Sequence, residues 1–569
     1  MLAGLALRAS DLRADPPPGL SWSFAPYTDE AYNNYSARNM VLYGKWKVDD
    51  FFPFVVYPLT NFLAVLVFKL FGLGFVQVKL ISLLAGVASV FVIYLLVKED
   101  SGPLAGQLAA LGLAVSFPLV MYSRLGLVES VQLLFLLLTG LFFVRGLKRP
   151  RQMLWAGLFG ASTILLVKVS AVFVAPALLF AWLWELIDRR KDRAAVQSLI
   201  RGLWLALAGI GVACTVWLVA VFLPHRADYV QYVLRHSFES PAGHPKGLVA
   251  YLANAFTIGV NSRVTTRLPW IAFVGFAALP AFAFGRRPGL RYCGLWFLLA
   301  FLMLGYMNYR PDRYEIILIP ALIAAFAAAL ARILETGTLV PKWNSNVLKA
   351  ALYTFWLWPL AAQAVLYSNG LAGMVHPETE SGLIFTALTI TVLLGLVGFA
   401  ATRVFRNGVH LAPVLARAAL AGVVLVLSLR IDLVQYFAWF NTRTHNMIAY
   451  SADLDRFLPD DAVLAGSFAP ALLINSRKRA VCITDWANTD DPVGRFGVTH
   501  IVSPENGFDI ELFTRTYPRL MERAKVLREY EVYRAGPVGL MMPRQYGEDL
   551  VVSLEPRGTK LTVYELPRP

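Results

Sequence analysis

Apolar runs of roughly 20 residues recur along most of the chain, separated by short charged stretches, and a membrane-crossing helix needs about 20 mainly apolar residues. Candidate spans occupy residues 77–97, 104–122, 125–145, 152–168, 169–187, 200–223, 268–285, 291–309, 314–333, 349–368, 382–402 and 411–431. Met1–Ala9 is apolar but too short to span. It reads as the last turns of a helix that begins before Met1, which makes 12–13 transmembrane helices in all. No cleavable signal peptide is expected. Tyr57–Phe71 is also under-length, contains Lys69 and stops at Gly72, as suits a helix lying in the membrane interface.

The composition agrees with a membrane body. Hydrophobic residues make up 57% of the chain and charged ones 16%, with a mean hydropathy of +0.56, whereas soluble domains carry about 25% charged residues. The net charge of +15 would suit nucleic acid if it formed one patch. Instead the cations cluster between spans, as in Arg145/Lys148/Arg149/Arg151, Arg189/Arg190/Lys191/Arg193, Arg286/Arg287/Arg291 and Arg403/Arg406. That is the positive-inside pattern of cytoplasmic loops, so no nucleic-acid partner is expected. With these clusters inside, residues 11–58, 122–129, 224–267, 309–313 and 369–381 fall outside. Cys214, Cys293 and Cys482 are far apart and form neither a disulfide framework nor a zinc spacing.

The last span exits outward, so the polar tail is external. Residues 1–436 form the transmembrane domain and 437–569 a small α/β domain. In that domain β-rich runs at 462–466, 480–484, 499–503, 530–534 and 561–564 alternate with helical stretches such as 511–525. It has no glycine-rich nucleotide fingerprint, and a lid over substrate and a stabilising cap are both open to it.

Candidate chemistry gathers near the outer face. Asp29 and Glu30 stand before Tyr32, Asn33 and Arg38, groups able to hydrogen-bond a sugar. The plainer alternative makes Thr28 or Asp29 a helix N-cap with Glu30 in the first turn. Glu129 enters a span five residues after Arg124, either as a functional intramembrane acid or as half of a local ion pair. Lys168 interrupts an apolar stretch, where it either snorkels or holds a lipid phosphate. Arg310 and Arg313, beside Tyr314, are external arginines, and guanidinium forks match phosphate oxygens. His225, His236 and His244 lie in a long loop without metal-ligand spacing, and that loop has the length of a mobile lid.

The order of these motifs carries a resemblance. Asp29-Glu30 is followed by Gly44-Lys45-Trp46, by a short helix ending Leu70-Phe71-Gly72, and by Ser123-Arg124 with Glu129. Leu166-Val167-Lys168 and then Arg313-Tyr314 with Pro320 complete it. The chain resembles the GT-C superfamily of polyprenyl-phosphate-sugar glycosyltransferases, in particular the protein mannosyltransferase-like group (glycosyltransferase family 39), which includes the lipid A aminoarabinose transferases. The resemblance covers residues 5–335 by motif and the rest by architecture. It implies a GT-C fold and inverting transfer of a sugar from an undecaprenyl or dolichyl phosphate donor to a hydroxyl acceptor at the external face of the plasma membrane. It implies Asp29 as base and Glu30 as its catalytic neighbour. Arg38, Arg124, Glu129, Lys168, Arg310, Arg313 and Tyr314 would bind substrate or lipid phosphate. The paired acids also leave room for a divalent cation, although no oxygen-ligand loop is present.

The chain departs from the aminoarabinose enzymes in three places. Tyr32 stands where they have an arginine three residues after the first aspartate. Pro53-Phe54 and Tyr57-Pro58 stand where they have a Lys-Pro pair, and Glu315 follows Arg313-Tyr314 where an apolar residue is usual. These changes point to a different donor or acceptor. The alternative from another class is a polytopic transporter or lipid flippase, which would predict internal repeats and charges near the bilayer midplane. The chain has neither. An oligosaccharyltransferase would need a Trp-Trp-Asp motif that Asp485-Trp486 does not supply.

Overall fold

The computed structural model describes residues 1–21, 23–235, 247–248, 250–251, 255, 268–283, 285, 287–307, 311–340, 409–505, 507–535 and 556–567. The predicted spans 349–368 and 382–402 lie outside these residues, as do Arg310, His236 and His244. Among the described residues, seven helices are long and apolar enough to cross a membrane, and a bent pair makes an eighth.

The chain opens with α1 (Leu2–Ala9), α2 (Ala25–Asn33) and α3 (Tyr35–Tyr43), followed by the under-length α4 (Pro58–Phe71). The bundle then begins with α5 (Phe75–Ser101), α6 (Pro103–Val115), α7 (Phe117–Ser123) and α8 (Glu129–Gly146), with α5 packed against both α6 and α8. The predicted span 104–122 is the bent pair, α6 turning by 60° into α7. Pro118 sits in the first turn of α7, where its missing N–H is harmless.

The next two predicted spans meet at an irregular joint. From α9 (Met153–Ser162) the backbone widens into a π-turn at Thr163–Val167, becomes extended at Lys168, tightens to a 3₁₀ turn at Val169–Phe173 and resumes as α10 (Val174–Asp188). Next comes α11 (Arg193–Trp217), which packs tightly on α9. A Cβ on Gly157 would lie 2.0 Å from the Ala206 carbonyl oxygen, and one on Gly209 would lie 2.1 Å from that of Leu154. Small residues let membrane helices approach to backbone contact in this way.

The bundle is completed by α12 (Pro269–Ala283), α13 (Pro288–Gly305), α14 (Ile319–Thr336) and α15 (Val414–Thr442). Strand β1 (Thr338–Val340) pairs antiparallel with β2 (Val409–His410) just before α15. Most of α14 is buried, which makes it the central helix of the described body. The helix α15 runs six residues beyond the predicted boundary at 436/437.

The C-terminal region is a five-stranded sheet of β3 (Val463–Ala465), β4 (Arg479–Val481), β5 (His500–Pro504), β6 (Lys525–Ala535) and β7 (Pro556–Glu565), ordered β4-β3-β5-β7-β6. The first three strands are parallel, and β7 and β6 add antiparallel. Strands therefore form at all five predicted positions. The helix expected over 511–525 is wrong in extent. It ends at Thr516, a short turn occupies Pro518–Met521, and Lys525 already begins β6. Pro518 has no N–H to continue the helix and disfavours helical geometry in Tyr517 before it.

This region is seated on α2 and α3. Phe24 meets Phe468 edge-on, with ring centroids 5.3 Å apart. Arg38 donates to the Ser476 and Lys478 carbonyls, both at 2.8 Å, and Tyr35 donates to the Ala480 carbonyl at 2.7 Å. The bidentate pair of Arg495 with Asp50, at 2.7 and 2.9 Å, closes the edge.

Candidate active site

Asp29 is not a helix cap. Pro26 in the first turn and Phe24 as the N-cap start α2 four residues earlier, which puts Asp29 inside the helix. Its carboxylate accepts from the Arg313 Nη2 at 2.7 Å and from the Thr28 hydroxyl at 3.3 Å. Arg313 in turn places Nε 3.6 Å from the Glu129 Oε1, and the Lys168 Nζ lies 2.6 Å from the same oxygen. Acids and bases thus alternate in one row: Asp29, Arg313, Glu129, Lys168.

Tyr314 is the floor of this row. Its ring centroid lies 4.1 Å from the Lys168 Nζ and 5.0 Å from the Arg313 guanidinium carbon. Ring faces attract cations, and more strongly as water is excluded. Both cations are nearly sequestered, with side chains 6% and 11% exposed. The other Glu129 oxygen is buried without a hydrogen-bond partner among the described residues. Burial pushes the Asp29 carboxyl above the usual carboxylate range, and the Arg313 charge pulls it back. A carboxylate of raised pKa is a better proton acceptor when ionised, as general-base work needs.

Each member is positioned by local backbone chemistry. Glu129 is the first residue of α8, where a negative charge favours the exposed N–H groups. Lys168 sits at the joint between α9 and α10, whose extended residue turns the side chain out of the helical spiral. Neither Lys168 nor Glu129 follows the bland alternative for it: Lys168 does not snorkel, and Glu129 does not pair with Arg124.

The structure does not bring Glu30, Arg38 or Arg124 into this row. Glu30 faces elsewhere, accepting from the Gly126 N–H at 3.0 Å with the Lys79 Nζ 3.8 Å away. Asp29 and Glu30 therefore do not converge on one cation position. Among the described residues no group of three or more His, Cys, Asp or Glu could hold a metal ion. Arg38 is committed to the two carbonyls of the C-terminal region. Arg124 caps the end of α1, donating to the carbonyls of Leu7, Arg8 and Asp11 at 3.2, 2.9 and 2.7 Å, and lies over the Trp439 ring. Of the histidines weighed as metal ligands from sequence, His225 packs edge-on against Phe52 and Phe54.

Two tyrosines stand near the row: Tyr32, read from sequence only as a group able to hydrogen-bond a sugar, and Tyr57, which was not singled out as a site residue. Tyr57, the residue before α4, is within electrostatic reach of Tyr314, Glu129, Arg313 and Asp29. Leu59, two residues on, packs with Val131 and Val167, neighbours of Glu129 and Lys168. Tyr32, about one helical turn after Asp29, donates at 2.6 Å to the Ser467 carbonyl just after β3. The signal for both lay in the same departures from the aminoarabinose pattern, where tyrosine replaced a cation.

Fold and site define the class: a polytopic membrane protein of the GT-C fold, with a charged cluster beside its C-terminal region. Residues 55–220 match the family model for dolichyl-phosphate-mannose-protein mannosyltransferase. Over 99% of its length the chain also superposes on the structure of ArnT from Cupriavidus metallidurans bound to undecaprenyl phosphate, covering 96% of that chain, with a TM-score of 0.55 at 16% identity. The apo structure of the same protein gives 0.55 at 15% identity and the same coverage. No curated protein matches the sequence.

Proposed function

We propose that this chain is an inverting glycosyltransferase. It would move a sugar from a polyprenyl-phosphate donor to a hydroxyl acceptor at the external face of the plasma membrane. The observation that supports this most is the row Asp29–Arg313–Glu129–Lys168 over the Tyr314 ring. It holds one carboxylate of raised proton affinity next to two guarded cations. The matched family and the fold shared with an undecaprenyl-phosphate-binding protein point the same way.

The chemistry follows from these groups. The acceptor O–H gives its proton to Asp29 as its oxygen attacks the anomeric carbon. The bond from that carbon to the phosphate oxygen breaks, and its electron pair leaves with the polyprenyl phosphate. Arg313 and Lys168 stabilise the charge that builds on the leaving group, so it needs no protonation. Glu129 holds both cations in place. A single base without a second, nucleophilic carboxylate gives inversion, by the logic that separates the two classes of glycosidase.

The test is release of free polyprenyl phosphate from a panel of polyprenyl-phosphate sugars, in membranes with native acceptors. Wild type is expected to release it from at least one donor, and Asp29→Asn is not. Equal release by both proteins would remove Asp29 as the base. No release from any donor by folded protein would favour a transporter.

A further inference from the structure

The resting row has no free cation to offer a phosphate. Asp29 and Glu129 bring two negative charges, Arg313 and Lys168 two positive ones, and each cation already touches a carboxylate, at 2.7 Å for Arg313 and 2.6 Å for Lys168. Among the described residues, a donor phosphodiester entering here meets a row of balanced charge and competes with carboxylates for their partners. Of the two contacts to Arg313, Asp29 takes Nη2 at 2.7 Å, while Glu129 lies farther off at 3.6 Å from Nε. Asp29 is therefore the nearer competitor for this guanidinium, and an incoming phosphate that takes Nη2 displaces it. Asp29 is also the group that has to be free to accept a proton.

We propose, building on the glycosyl-transfer reading, that Arg313 exchanges partners during the cycle, held by Asp29 at rest and taken over by the donor phosphate. The exchange frees the base from the guanidinium only when a donor is bound, and leaves it the weaker Thr28 hydroxyl contact. It also matches how charge moves in the reaction. As the sugar is transferred, the phosphate passes from a diester with one negative charge to a monoester with about two. Asp29 loses one negative charge by taking the acceptor proton. The charge that Arg313 needs to face thus travels from Asp29 to the phosphate, and the guanidinium fork, with five donors, can hold the bridging state between them. Without a donor, Asp29 stays tied to the arginine, and water or a stray acceptor meets a weaker base.

The test is the affinity of purified full-length protein for undecaprenyl phosphate, titrated in detergent, with the melting temperature of each variant recorded. Removing the competing charge by Asp29→Asn should tighten binding about tenfold, as expected when a close opposite charge is freed for a ligand. Asp29→Ser, which removes the same charge with a different side chain, should tighten it likewise. Arg313→Ala should weaken it by about tenfold or more. A merely structural role for Asp29, holding Arg313 in place for the ligand, predicts the opposite sign. Unchanged or weaker binding in both aspartate variants, with wild type binding, would overturn the exchange and leave the donor class standing. Failure of folded wild type to bind undecaprenyl phosphate would sink that donor class itself.

Discussion

Arg313 and Arg124 both rest on an aromatic ring, at 5.0 and 4.5 Å from its centroid, but their polar ends differ. Arg313 faces carboxylates. Arg124 faces the backbone carbonyls that close α1 and the turn after it. A carboxylate and a phosphate are interchangeable partners for a guanidinium, so Arg313 can pass from one to the other without leaving a hole. Backbone carbonyls have no such substitute, and pulling Arg124 away would strand several buried acceptors. Arg38 belongs with Arg124, since it joins α3 to the C-terminal region through two carbonyls. The partner type, more than the arginine, separates chemistry from architecture here.

The largest effect that would break this contrast is on turnover. Arg313→Ala is expected to lower the transfer rate by about 10²–10³, the usual loss when one charge-stabilising donor is removed, in a protein that still folds although two carboxylates lose a partner. If the protein unfolds instead, Arg313 belongs with the architectural arginines. Arg124→Ala should do the reverse, destabilising the fold by about 2–4 kcal/mol through stranded carbonyls while activity per folded molecule stays near wild type. Thermal melting read beside specific activity checks both. Arg38→Ala should be milder, at about 1–3 kcal/mol for the two lost carbonyl bonds, and should appear as faster protease cleavage after Thr442.

The smallest effect is on pH. Burial raises the Asp29 carboxyl and Arg313 lowers it. The proposed base must be ionised, so the rate should rise with pH through an acid limb lying above the ordinary carboxylate range. Arg313→Gln removes the lowering charge, and the limb should move further up. A limb that stays put in that variant would show that the pair is not felt during turnover.

Much of this was legible in the sequence. Residues 77–97 and 200–223 are long apolar runs, and their helices follow from length alone. Even the joint at Lys168 fell between two predicted spans, because a charged residue in an apolar run marks a place where the helix cannot simply continue. The motif order put Asp29, Glu129, Lys168 and Arg313 on one list, but it could not say which acid faces which base. Glu30 sits beside Asp29 in sequence and about 100° away around α2, so adjacency along the chain misread it. Arg124 was placed with the phosphate ligands by the motif resemblance, and a helix end supplies it with a partner that no sequence pattern announces. Tyr57 showed only as a departure from the aminoarabinose pattern, because its neighbours at the site come from residues 29, 129, 313 and 314, which meet only when the bundle closes.

The bend between α6 and α7 depends on a side chain from far along the chain. Asp432, buried in α15, accepts at 2.7 Å from the Phe117 N–H that opens α7, across 315 residues of sequence. Ser10 and Tyr436 meet through their hydroxyls nearby, and Trp439 donates to the Asp15 carbonyl at 3.0 Å. The bend is thus tied to α15 by a hydrogen bond that can form only once residue 432 has been made. The last described membrane helix acts as a clasp, and this contact of the bundle can close only after about three quarters of the chain has been made. A chain truncated before Val414 is expected to be cut readily by protease around Ser116, and full-length Asp432→Ala should show the same weakness. Protection of that site in both would show that the bend closes without its clasp.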